Sequence, residues 1–193
     1  MNDVRLDIAL DALTLGRADL GLALENVAPE QPGTRASANG HTAQALLGEA
    51  VDGLRAAGTS HHLPRGLLAR AALHRSVGDW GGATRDLDEV EEIAEPGPMR
   101  LFLCDMALER ARLAFARIEG FAPLNGLIDD SPTQPAPPGA EESAKLAEEA
   151  RLNLATAREL IERCGYHRRD EELAELEAVR DGRRRFADLP PRV

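Results

Sequence analysis

The sequence predicts an all-α fold of antiparallel helical hairpins, and three observations carry the prediction. Ala, Leu, Glu and Arg, strong helix formers, dominate the composition, whereas aromatics supply only 3% of the chain, so strand formers are too scarce for a sheet of normal width. Apolar residues recur at steps of three and four in successive segments divided by Gly, Pro and polar clusters. The same small and large side chains then return at matching offsets from one hairpin to the next. At 193 residues the chain fits one domain with a real core.

The first helix is expected over Val4 to Val27, where Leu6, Leu10, Leu13, Gly16, Leu20 and Leu24 share a face. Pro29, Pro32, Gly33, Ser37, Asn39 and Gly40 read as a polar loop, followed by a second helix over 42–57 that Gly58 stops. Thr59 and Ser60 are candidate caps for a third helix that tolerates Pro64 in its first turn and runs to Val77. Gly78-Asp79 forms the turn into a fourth helix over 80–95, whose apolar face is Ala83, Leu87, Val90 and Ala94. Pro96, Gly97 and Pro98 end it, and a fifth helix follows over 99–117. The composition changes over 119–139, a Pro-rich insertion expected to be a mobile loop with a short helical turn near Leu124 to Ile128. The sixth helix covers 141–164, and Asp170 is a candidate N-cap for a closing helix over 170–188. The resulting domain has hairpins at 3–57, 61–95 and 99–164, closed by that seventh helix.

A common register lies beneath these helices. Second helices carry Ala43-Leu47-Ala50, Ala83-Leu87-Val90 and Ala150-Leu154-Ala157. From the last member of each triplet to a small residue in the next first helix the count is 21 every time, at Ala71, Ala111 and Ala178. The middle hairpin has the tight spacing of 12 from Ala71 to Ala83. The others carry insertions, since Gly16 to Ala43 spans 27 positions and Ala111 to Ala150 spans 39.

The triplets, the Leu15-Gly16 pair, the Gly78-Asp79 turn, the stretch Gly66–His74 with Asp86–Val90 and Met99–Leu101, and the later Gly165–Leu173 together resemble tetratricopeptide repeats. They look like the repeat segments of large bacterial signalling proteins, where such units commonly follow a signal-transduction ATPase or effector module. The likeness covers most of residues 41–118 and 141–178. It implies an α-solenoid that scaffolds or senses by binding protein. No Gly-x4-Gly-Lys-Ser/Thr phosphate loop occurs in the chain, so ATP hydrolysis does not carry over.

Charge and motif chemistry narrow the function. The formal charge of −10 opposes nucleic acid, whose binding needs clustered Lys and Arg. No run approaches the ~18 consecutive apolar residues of a membrane span, and charges at Asp3, Arg5, Asp7 and Asp11 leave no signal-peptide pattern, so a cytoplasmic location is expected. No cofactor or metal is expected: adjacent His61 and His62 do not face one point on a helix, and Cys104 and Cys164 lie at apolar helical positions as small hydrophobes outside any metal spacing. Tyr166-His-Arg-Arg-Asp170 reads as a helix-end and capping segment, with an exposed contact patch as the alternative. The acidic runs 86–95, 141–149 and 170–177 are either solvated faces or surfaces for a basic partner.

A stacked array lines its concave face with first helices. The register places Leu13, Arg17, Arg65, Leu68, Arg75, Asp105, Leu108, Arg112 and Phe115 there as partner-contacting residues. Their Arg content suits an acidic peptide or a C-terminal carboxylate, and charge reversal at Arg65 with Arg112 is the expected way to abolish capture. Two other readings remain: a self-association module in which the groove pairs two chains, and a small helical enzyme with an unrecognised site.

Overall fold

The computed structural model describes residues 2–27, 34–128 and 135–192. Seven α-helices are present among them: α1 (Asn2–Glu25), α2 (Thr34–Ala57), α3 (Leu63–Val77), α4 (Trp80–Ala94), α5 (Arg100–Glu119), α6 (Ala140–Cys164) and α7 (Asp170–Arg180). No strand occurs among the described residues. Helices α1/α2, α3/α4 and α5/α6 are the three hairpins, and each second helix also packs on the next first helix. The first helices pack on one another as well, α1 on α3, α3 on α5 and α5 on α7. This makes two layers, an inner one of α1, α3, α5 and α7 and an outer one of α2, α4 and α6. The closing helix takes the place of a fourth first helix.

The repeating triplets are what these layers close on. Every member of the three triplets is at most 1% exposed, and Ala71 and Ala111 opposite them are fully buried. Small residues are required where the helices cross. A Cβ on Gly16 would sit 3.0 Å from the Leu47 side chain, and one on Gly53 would sit 2.8 Å from Ala9 Cβ. The apolar core has two parts, one built by α1 to α4 with Met106, Leu113, Leu124 and Ile128, and one built by the other buried face of α5 with α6, α7 and Phe186; the half-buried Trp80 and Leu103 touch both.

Several boundaries differ from expectation. Helix α2 starts at Thr34, two turns early. Ser37, Asn39 and Gly40 suggest a turn locally, but Ala36 is buried, Ser37 donates to the Leu127 carbonyl at 2.7 Å, and Gly40 leaves room for Ile128. Tertiary support outweighs local propensity there. Residues 28–33 of the expected loop lie outside the described part. Thr59 and Ser60 do not cap α3; they form the turn before it, and His62 takes the N-cap position without a side-chain bond. Asp79 does cap α4, accepting from Gly82 N–H at 2.8 Å, while Gly78 at φ 86° ends α3 as only glycine does readily.

The first described part of the Pro-rich insertion, 121–128, is packed rather than loose, whereas Ala136, Pro137 and Gly139 are exposed. Ala122 and Leu124 are fully buried, Leu124 N–H donates to the Ser76 carbonyl, and Asn125 donates to Val77. Residues 129–134 lie outside the described part. Helix α7 stops at Arg180, not near 188: Gly182 takes φ 69°, and Arg183 N–H returns to the Ala178 carbonyl. The chain then crosses the inner layer as an irregular segment with one 3-10 turn at Phe186–Asp188. Asp170 is the first residue of α7 rather than its cap.

Candidate functional site

Along α5, Phe102, Asp105, Glu109 and Arg112 follow at steps of three, four and three, so one face of the helix is polar although the helix lies in the inner layer. Across from it stand Arg75 of α3, and Arg169 and Glu172 from the start of α7. These groups form a continuous ion-pair chain. Arg75 Nε lies 2.6 Å from Glu109, Arg112 donates to Glu172 at 2.8 Å, Arg169 reaches the other Glu172 oxygen at 2.7 Å, and its Nε reaches Asp105 at 2.9 Å. Tyr166 closes the chain by donating to Asp105 at 3.3 Å. Arg75, Glu109, Arg112 and Glu172 are all buried, so charge alternation is what makes their burial tolerable.

Burial alone would push the Glu172 carboxyl up, but Arg112 and Arg169 overcome it and hold the group below its ordinary value. For Asp105 burial prevails, and the carboxyl is raised despite Arg169. Arg112 is lowered, by burial against the pull of Glu172 and Glu109.

Beside this network lies an open cavity of about 690 Å³ on the inner layer. Its floor is apolar, formed by Leu68, Ala69, Ala72, Met99 and Phe102, and its walls carry Arg17, Arg65, Arg168 and Arg169. Six arginines and three carboxylates line it altogether, an excess of three positive charges in a chain of net charge −10. The Arg17 guanidinium is lowered from its ordinary value by burial and then by Arg65, Arg169 and Arg168, a sign that like charges are crowded at this wall. Arg65 is exposed and makes no ion pair among the described residues; exposed Arg168 lies over the Tyr166 ring, 4.6 Å from its centroid, and donates to the Tyr166 hydroxyl.

The nine residues expected on this face therefore divide. Arg17, Arg65, Leu68, Asp105 and Arg112 come together around the one cavity. Leu13 is buried under the adjoining depression that Arg17 and Arg65 rim. Leu108 is 1% exposed within the α5 to α7 core and presents nothing to the surface. Arg75 and Phe115 are covered by the chain's own C-terminal segment. The Phe186 ring lies 6.4 Å from Phe115 and 6.1 Å edge-on from Phe121, Arg75 sits over it at 5.8 Å, and Glu119 accepts the Phe186 and Ala187 N–H groups. Arg112 and Asp105 line the cavity, yet each is already ion-paired inside the protein.

Compared with protein-family models, curated proteins and solved structures, the chain matches none. The assignment of a site rests on its own geometry.

Sequence reading missed half of the constellation. Glu109 and Phe102 were accessible to it, since both fall on the stripe that gave Asp105 and Arg112. Tyr166, Arg168 and Arg169 read as a helix-end segment and Glu172 as part of an acidic run, because nothing local signals that the turn after α6 folds back over α5. Both cysteines were expected to be buried. Cys104 is, and burial pushes its thiol up to about 12, whereas Cys164 is exposed at the end of α6. The exposed His61 ring lies tilted against His62, centroids 4.1 Å apart, just before α3, and neither lines the cavity. Among the described residues no helix is long and apolar enough to cross a membrane.

Proposed function

We propose that this chain is a non-catalytic interaction module of tetratricopeptide type that receives a carboxylate-rich segment of a protein partner in the inner-layer cavity. The observation that carries the reading is the local reversal of charge: a strongly acidic chain gathers an excess of arginine over one apolar-floored depression. Guanidinium pairs with carboxylate through two parallel charge-assisted bonds, and an apolar floor gives an adjacent aliphatic or aromatic side chain a place to bury. The contrast with the buried network is informative. Arg75 and Arg112 are consumed in holding α3, α5 and α7 together, whereas Arg65 and Arg168 face the opening. The resemblance to the repeat segments of bacterial signalling proteins supports a scaffolding or regulatory role in the cytoplasm.

The test is a titration by fluorescence anisotropy with a labelled peptide rich in Asp and Glu that ends in a free carboxylate. Arg65→Glu combined with Arg168→Glu should weaken binding by about tenfold or more while leaving helicity unchanged, because both side chains are exposed. Unchanged affinity in that variant rejects the groove. Reversal at Arg112 is unsuitable, since it would place a third carboxylate against buried Glu109 and Glu172 and unfold the inner layer.

A further inference from the structure

Six large hydrophobic side chains are exposed among the described residues, and four of them, Val4, Ile8, Leu15 and Leu22, belong to α1. Their exposures run from 47% to 63%, and their spacing of four, seven and seven places them on one narrow stripe of the helix. The core face of α1 is a different stripe, made by Ala9, Ala12, Leu13, Gly16, Leu20 and Ala23. The groove side is different again, marked by Arg17. Helix α1 thus has a second apolar seam, and among the described residues neither the fold nor the cavity uses it. Ile8, Leu15 and Leu22 recur once per heptad over about four turns, a single apolar ridge against which a partner helix can pack.

The residues beside the seam decide what kind of helix fits. Asp11 and Asp19 border it on its two sides, and Asp7 and Glu25 lie one step further out, against Arg5 as the basic residue of the same surface. In a second copy paired antiparallel about Leu15, Asp7 and Glu25 of the two chains would approach each other, and each chain would add a formal charge of −10. Self-pairing is therefore disfavoured. We infer that the outer face of α1 is a docking seam for an amphipathic helix of a partner protein, one that carries Leu or Ile at heptad positions with Lys or Arg on its flanks. Apolar knobs supply the contact, and the flanking cations meet the aspartates. This surface is independent of the inner-layer cavity, so the chain has two faces with opposite charge preferences.

The experiment uses the full chain and three synthetic helices of 21–25 residues: one with Leu and Ile at heptad positions and Lys flanks, its twin with Glu flanks, and a scrambled peptide of the first one's composition. At physiological salt the Lys-flanked helix should bind one per chain, with the twin and the scrambled peptide each weaker by about tenfold or more. Ile8→Asn with Leu15→Asn should remove that binding by the same factor with helicity retained, as both side chains are exposed in the free chain; Arg65→Glu with Arg168→Glu should leave it intact. Equal binding of the scrambled peptide or of the Glu-flanked twin overturns the inference, as does undiminished binding by the α1 variant. Light scattering adds a further decisive outcome: a dimer that the α1 variant dissociates would assign the seam to a second copy and overturn the occupant argued here.

Discussion

The Arg112 guanidinium and the Glu172 carboxylate, 60 positions apart in sequence, meet at 2.8 Å with both side chains buried. This contact fastens α7 to α5, and with Arg75–Glu109 and Arg169–Asp105 it makes one alternating charge chain through the inner layer. Leaving one member of a buried pair alone is costly, because its partner stays desolvated. Arg112→Ala should therefore lower stability by about 3–5 kcal/mol. Replacing both partners by apolar residues of similar size, Arg112→Met with Glu172→Leu, should recover most of that loss. Urea unfolding of the two variants checks this; a double variant no more stable than the single one would show that the contact is not the main reason for the loss.

Acid should loosen the same junction. The folded-state Glu172 carboxyl is held below its ordinary value, where its contribution to stability is complete above the unfolded value and lost as pH falls through the folded one. Thermal stability should thus decline as pH drops from about 5 to about 3. Asp105, raised by burial, has the opposite sign and takes up its proton earlier in the descent. Glu172→Gln should flatten part of the acid decline, and Asp105→Asn should not. Melting curves across this range distinguish the two.

Much of the architecture was legible because the hairpin crossings demand side chains of fixed size. Ala43-Leu47-Ala50 and its two counterparts are fully or almost fully buried where the 21-position spacing placed them, and α4 begins and ends within a residue of expectation. What was not legible depends on contacts between distant segments. The first two turns of α2 form because Ile128 covers Gly40. Phe186 covers Arg75 and Phe115 because Glu119 holds its backbone. The inner layer could be predicted as a surface from periodicity. Which of its arginines are spent on internal partners could not, since Glu172 and Arg169 reach it from a turn whose local sequence suggests only a helix boundary.

The register also sets the expected cost of core truncation. Leu87 is fully buried between its own hairpin and its neighbours. Leu87→Ala should cost about 2–5 kcal/mol, the range for a leucine removed from a tight core. An exposed leucine of the same chain, Leu152 on α6, should cost far less on the same change, and denaturant titration of the pair gives the contrast.

The C-terminal segment acts as a strap over part of the inner layer, with Phe186 as its anchor. Phe186→Ala should release the strap, lower stability by about 3 kcal/mol as for a buried aromatic, and raise protease cleavage after Arg183 to Arg185. Limited proteolysis followed by mass measurement reports this; an unchanged cleavage pattern would mean that Glu119 and the Arg192–Glu175 ion pair hold the strap without the ring.

The two thiols should separate cleanly. Cys104 is fully buried with its thiol pushed up to about 12, and Cys164 is exposed. Iodoacetamide at mildly alkaline pH should modify one cysteine per native chain and two after unfolding, read by intact mass. Rapid native modification at Cys104 would contradict the packing of α5 on α6.

The groove assignment is tested most directly by mapping backbone amide shifts while an acidic peptide is titrated into the isotope-labelled chain. The account predicts saturable shifts confined to the inner layer around Arg65, Leu68, Phe102 and Arg168, with the outer helices α4 and α6 silent. Shifts centred on the outer helices, or none at any peptide concentration, would contradict it.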